Sequence, residues 1–276
     1  MAFEIADGIQ NVQQIYIPID ITAATQTMYI GQLCKKGTGA MNGIGPLAAA
    51  SGAYDVTGDQ QILGVVMGFN YYPLTELNDP VYGNYMTAVA SQAGQKAIQK
   101  MGAEGMHPKG DPQPLAQIAI LEPGVWLKSP IYNGTLGTAT TLLTVTTGST
   151  TGASMTTNAH ERASVANMST MYCRTGANAG IYRVVKSASA TTHTFDTYFP
   201  YAIAVGDTFV MANMVQGESY VQINTTTGYL GMFFDNGADA SSSYFGITVK
   251  ELNLAEAGKE NIVFKFSAAH FAGIRT

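Results

Sequence analysis

Charge is scarce in this sequence. Only 12% of its 276 residues are Asp, Glu, Lys or Arg, about half the usual share for a soluble domain. The surface is left to Ser, Thr, Asn, Gln and Gly, and a chain with so little charge is poorly protected against association. Burial in an assembly removes that problem. The 14 basic residues are scattered and outnumbered by 19 acidic ones, for a net charge of −5. Nucleic-acid binders draw most of their affinity from basic stripes that neutralise phosphates, so direct contact with nucleic acid is disfavoured. Cysteine is nearly absent. Cys34 and Cys173 are too few for a disulfide framework or a zinc site and are expected as buried free thiols. Long apolar runs are missing as well: nothing approaches the ~20 residues of a membrane span. The opening "MAFEIADGIQNVQQ" has neither a basic nor an apolar signal segment. Membrane residence and export by a signal peptide are both disfavoured.

What is present is β-forming. Hydrophobic residues reach 46%, ample for a core in one large β domain or two smaller ones. "IYIPIDI" at residues 15–21 alternates with period two, and Pro18 marks an edge strand or arm. Strands are predicted over residues 27–36 and 60–72, with a Gly- and Ala-rich loop over 37–59. Residues 85–105, "YMTAVASQAGQKAIQKMGAEG", are the best helix candidate, because Ala, Gln, Lys and Met favour helices. β structure resumes over 114–131, where Trp126 follows a Pro-Gly turn. The threonine-rich stretch 134–157 is either a strand pair or a tether, and its shift in composition marks a border. Residues 171–212 read as three strands. Within them Ile181, Arg183 and Val185 face one way and Tyr182, Val184 and Lys186 the other. Late strands are predicted over 218–234 and 260–271. No repeat period recurs, which argues against a propeller or solenoid.

Chemistry is hard to find. His107, His160, His193 and His270 lie far apart, none in a metal-binding spacing, and each is expected at a surface or interface. His160 and Glu161 have no nucleophile beside them. No nucleophile elbow, phosphate loop or dinucleotide fingerprint is present, and "GIGPLA" at 43–48 is ordinary loop. "DNGAD" at 235–239 offers too few oxygens for a calcium loop and reads as a hairpin turn at Asn236-Gly237. The sequons at Asn133, Asn167 and Asn224 carry no weight without a secretory signal. Fifteen tyrosines against one tryptophan do point somewhere, since tyrosine joins an apolar ring to a hydroxyl and suits interfaces.

The order of these pieces resembles the capsid decoration, or cement, proteins of tailed bacteriophages. The resemblance rests on three short stretches, residues 31–36, 64–68 ("GVVMG") and 123–126 ("PGVW"). "YFPYAIAVGDTFVM" is similar to β modules of phage virion proteins. It implies a mainly β fold: a β-tulip or barrel-like main domain carrying an inserted small β-sandwich or β-sheet module. The expected divisions are an N-terminal arm at 1–14, the main domain at 15–141 and 216–276, and the inserted module at 142–215. The implied function is non-enzymatic. A virion protein made in the host cytoplasm would sit on the outer surface of the head as a homotrimer and clamp neighbouring copies of the major capsid protein. No cofactor, metal, membrane or direct nucleic-acid partner is expected. The arm would add as a strand to a capsid edge through Phe3, Ile5, Ile9, Val12, Ile15 and Tyr16, or else fray as an ordinary terminus. The alternative function is a tail or baseplate receptor-binding β protein. A glycosidase would need two carboxylates in one cleft, and no acid stands in a suggestive aromatic setting.

Overall fold

The structure is a computed structural model and describes residues 3–7, 12–18, 26–36, 44–47, 61–69, 85–88, 115–132, 142–158, 169–189, 191–212, 214–224, 233–235 and 245–271. The fold is mainly β, as expected, with a closed barrel and further sheets. Among the described residues no helix is long and apolar enough to cross a membrane. By its internal contacts the chain divides into two units, Met1–Val125 with Thr225–Met232 and Ala268–Thr276, and Trp126–Asn224 with Phe233–Ser267.

The first unit holds β1 (Glu4–Asp7), β2 (Gln14–Pro18), β3 (Gln26–Tyr29), β4 (Leu33–Lys36), β5 (Ile44–Pro46), β6 (Ile62–Phe69), β7 (Tyr85–Ala88) and β8 (Leu115–Ile120). Five of them form an antiparallel sheet in the order β2-β8-β6-β4-β5, and β3 pairs with β7. The predicted strand over 27–36 is broken into β3 and β4 at Gly31, whose φ of 82° suits a residue without Cβ. Met28, Cys34, Ile44, Val66, Ala116 and Ile118 form the core. β6 lies so close to β8 that a Cβ on Gly64 would stand 2.3 Å from the Ala119 carbonyl oxygen, so only glycine fits there. β2 is at one edge of the sheet, where Pro18 costs no ladder bond.

The second unit holds β9 (Trp126–Tyr132), β10 (Leu143–Thr147), β11 (Ser154–Thr157), β12 (Ser169–Cys173), β13 (Tyr182–Ser189), β14 (Thr192–Phe195), β15 (Thr208–Ala212), β16 (Gly217–Asn224), β17 (Phe233–Asp235), β18 (Phe245–Asn253) and β19 (Asn261–Phe266). β10-β11-β14-β13-β12-β15 close into a six-stranded antiparallel barrel. The described part of the threonine-rich stretch, residues 142–157, is therefore a strand pair and not a tether. Its alternation places Leu143, Val145 and Met155 inside, while intervening threonines stay partly or fully exposed. Phe195, Phe199 and Phe209 fill the middle edge-to-face, with centroids 4.9 and 5.5 Å apart. β9-β17-β16-β18-β19 make a second ring, because β19 returns to pair with β9. Only the β9–β17 pairing in that ring is parallel.

Several expectations are corrected. The helix predicted over 85–105 begins instead as β7, paired with β3 through Tyr29↔Tyr85; its remainder lies outside the described residues. Local helix preference loses there to cross-strand pairing. The 37–59 loop contains β5. Residues 171–212 supply four strands where three were expected, because β12 and β13 are separated by a turn at 174–180. β18, nine residues long, lies between the two predicted late strands, where no strand was expected. The sequence reading joined 15–141 with 216–276, whereas the contacts divide the chain at Trp126 and group β9 and β16 to β19 with the barrel at 143–212. The cause is the long-range β9–β19 ladder, Leu127↔Phe264 to Pro130↔Asn261, which no local pattern announces. The turn expected at Asn236-Gly237 lies outside the described residues.

Candidate functional site

Two features of the second unit combine exposed, chemically varied side chains with firm support. One is a cleft between the six-stranded barrel and the ring. Its walls are joined through Leu254, the buried residue just after β18. Buried backbone groups must find partners, and here both come from barrel side chains. The Leu254 N–H donates to Tyr182 Oη at 3.2 Å, and its carbonyl accepts from Arg174 Nε and Nη2 at 3.1 and 2.9 Å. Arg174 Nη2 also donates to Glu260 Oε1. The two side chains are 12% and 2% exposed, so the pair is shielded from water. A guanidinium suits this position because its planar fork serves a carbonyl and a carboxylate together.

Beside this latch the cleft encloses about 590 Å³ and is lined by Tyr182, Arg183, Gln216, Lys250, Glu251 and Asn253, among others. Its ring-side wall is irregular for a local reason. The β16 ladder stops at Gly217↔Val249, and the β19 pairing skips from Val249 to Glu251. Lys250 is thus the extra residue of a bulge, a device that re-aims side chains. Its carbonyl is taken by Gln216 Nε2 at 2.9 Å, and its ammonium lies 5.4 Å over the Trp126 ring. On the barrel side, Tyr182 packs against Tyr172 with centroids 4.5 Å apart, and Arg183 donates to the carbonyls of Tyr198 and Tyr182.

The other feature is the loop from Asp196 to Asp207 that joins β14 to β15. Phe199 and Ile203 plug into the barrel core, which leaves Tyr198, Tyr201 and Val205 at 58%, 59% and 70% exposure. The loop is pinned. Asn178, fully buried, donates to the carbonyls of Tyr201 and Ala202 and accepts from the Tyr201 N–H. Asp207 accepts from the Ala204 N–H at 2.9 Å. Exposed tyrosines on a loop held this way have already lost the backbone entropy that binding would otherwise remove.

The residues singled out from the sequence are not brought together. Phe3 is buried in the chain itself, with its N–H on the Gly31 carbonyl, so it cannot reach a partner and leaves the expected arm contacts. Ile5, Val12 and Ile15 are half-buried and Tyr16 is 53% exposed; Ile9 lies outside the described residues. His193 and His270 are buried within the chain, against the expected placement at a surface or interface. His193 faces into the barrel, where Nε2 lies 3.3 Å from Thr157 Oγ1. His107 and His160 lie outside the described residues. Cys34 and Cys173 are buried free thiols. Burial pushes the Cys34 thiol up to about 12. For Cys173 burial, then the Asp207 carboxylate, does the same, also to about 12. Thiols so held are inert at neutral pH. Among the described residues no three His, Cys, Asp or Glu side chains gather where a metal ion would sit.

Sequence reading missed Arg174, Asn178, Gln216 and the Lys250–Asn253 wall. The available signal was the alternation in "FGITVKELN", which identifies β18 but not its bulge. No family model, curated protein or solved structure matches the chain, so what these features do has to follow from their own chemistry.

Proposed function

We propose that the chain is a non-enzymatic virion protein that binds the outer surface of a phage head as a homotrimer and clamps neighbouring major capsid subunits. The observation that supports this reading best is the pinned loop at 196–207 with its exposed Tyr198, Tyr201 and Val205. Tyrosine is among the residues that dominate binding interfaces, and here it is presented rigidly on a chain with only 12% charged residues. Several copies engaging one shell would add avidity to modest single contacts.

The test is co-sedimentation of the purified chain with heads of the virus that carries its gene, stripped of this protein. Binding is expected at one trimer per site. Replacing Tyr198 and Tyr201 by Ser, at exposed positions that leave the core intact, is expected to weaken it by about thirtyfold or more, as for a hot-spot residue of ~2 kcal/mol. Full binding by the double variant refutes the role of the loop. Failure of the wild-type chain to sediment with heads refutes the decoration reading.

A further inference from the structure

We infer that the cleft bounded by Tyr182, Arg183, Gln216, Lys250, Glu251 and Asn253 binds a neutral oligosaccharide, an activity separate from the contact role of the tyrosine loop. At about 590 Å³ it lies within the ~300–1,000 Å³ of small-ligand sites. Its lining decides the class of ligand. An anion is less well served, because two of the Arg183 N–H groups already donate to backbone carbonyls, Nε and Nη1 at 2.9 and 2.7 Å, and the Lys250 ammonium rests over Trp126. Glu251, exposed on the same wall, repels a second negative charge. An apolar ligand would meet Val184, Val215 and Leu252 on the lining, but it would strip water from two amides and a carboxylate without replacing those hydrogen bonds.

A hydroxyl-rich ligand matches what remains. Gln216 uses its Nε2 on the Lys250 carbonyl, which leaves Oε1 as an acceptor. Asn253 uses its Oδ1 on the Ala255 N–H at 3.1 Å, which leaves Nδ2 as a donor. Glu251 adds acceptor oxygens, and each sugar hydroxyl both donates and accepts. The Tyr182 ring is 36% exposed and fixed twice, by Tyr172 against the ring and by the Leu254 N–H on its hydroxyl. A fixed aromatic face, electron-rich at its centre, suits the weakly positive C–H face of a pyranose. The Arg174–Leu254 bonds tie the two walls together, so little ordering is left to binding.

The experiment is an amide-resolved NMR titration of the full chain with maltotriose, cellotriose, chitotriose and a galactose trisaccharide, each to about 50 mM, a range that covers the millimolar affinities expected of a single shallow site. At least one sugar is expected to give saturable shifts centred on Tyr182, Gln216 and Lys250 to Asn253. Gln216→Ala and Glu251→Ala should each lower affinity by about tenfold, the worth of one or two hydrogen bonds. Glu251 is exposed, so its variant separates loss of ligand contact from loss of fold. The inference is overturned if no sugar produces saturable shifts, or if the shifts survive in both variants. It is overturned equally if an extended Ala-Glu repeat heptapeptide perturbs the cleft and the sugars do not. Retained head binding by the Glu251→Ala chain is expected throughout, so failure here and failure of the decoration reading give different results.

Discussion

Replacing Arg174 by Ala should damage the second unit more than any surface change of equal size. The substitution removes two hydrogen bonds to the Leu254 carbonyl and the cation beside Glu260, whose side chain is 2% exposed. Breaking one side of a buried pair costs about 3–5 kcal/mol. Arg174 is itself 12% exposed and some water will reach the gap, so the lower end, about 3 kcal/mol, is the working figure. That corresponds to a fall in Tm of roughly 6–12 °C for a domain of this size. Urea unfolding gives the assay, with two optical reporters. Trp126, the single tryptophan, stands in the ring, while near-ultraviolet circular dichroism is sensitive to the packed rings of the barrel.

If the latch couples the two barrels, both signals fall together in the wild-type chain and separate in Arg174→Ala. A companion, Arg174→Met with Glu260→Gln, removes the charge from both partners and should recover about 1–2 kcal/mol of the loss, since an uncharged amide is cheaper to bury than a lone carboxylate. A loss below about 1 kcal/mol in Arg174→Ala, with the two signals still coincident, would refute the reasoning. It would mean that the pair behaves as an exposed one and that something else holds the barrels together.

Asn178→Ala deprives the 196–207 loop of three hydrogen bonds; a stability loss of about 2 kcal/mol is expected, together with faster proteolytic cleavage after Tyr201, and unchanged cleavage would show the loop is held by Phe199 and Ile203 alone. Both thiols are pushed up to about 12, so the unfolded chain releases protons above about pH 8.5 that the folded chain retains, and stability falls as pH rises through that window toward 12. Cys34→Ala should make that decline shallower by about 1.4 kcal/mol per pH unit, read from urea midpoints at pH 9–11, while an unchanged slope would mean the thiol titrates alike in both states.

The β character was legible because it is written locally. Alternation in "IYIPIDI" and "GIYRVVKSA" requires only that one face be buried, and β2 and β13 followed from it. The hairpin of β13 and β14 was equally accessible, since its partners are close in sequence, with Ser189↔Thr192 at the turn. What stayed hidden depends on distance along the chain. Leu127 pairs with Phe264, and nothing near either residue shows it. The helix preference of residues 85–105 was real as propensity, yet Tyr85 to Ala88 gain more from pairing with β3 than from a helical turn. Arg174 and Asn178 are ordinary polar residues in a turn region until the fold brings Leu254 to one and Tyr201 to the other. Buried polar partners of this kind are matched by tertiary position, so single-sequence reading sees only their chemistry.

Closure of the strands also limits how such a chain can take hold of a partner. A closed barrel has no free ladder, so the six-stranded barrel can bind only through loops and clefts, which is where its exposed tyrosines and the Tyr182 ring lie. The first unit is different, because β2 pairs only with β8 among the described residues. Its outer edge is the place where a partner strand would add. Pro18 removes a donor at one end, which shortens that edge and guards it against promiscuous pairing. Tyr16, 53% exposed at the middle of β2, is then the natural side-chain anchor. Of the arm residues singled out in the sequence, Phe3 is spent on the chain's own core, whereas Ile15 and Tyr16 lie on this edge strand itself.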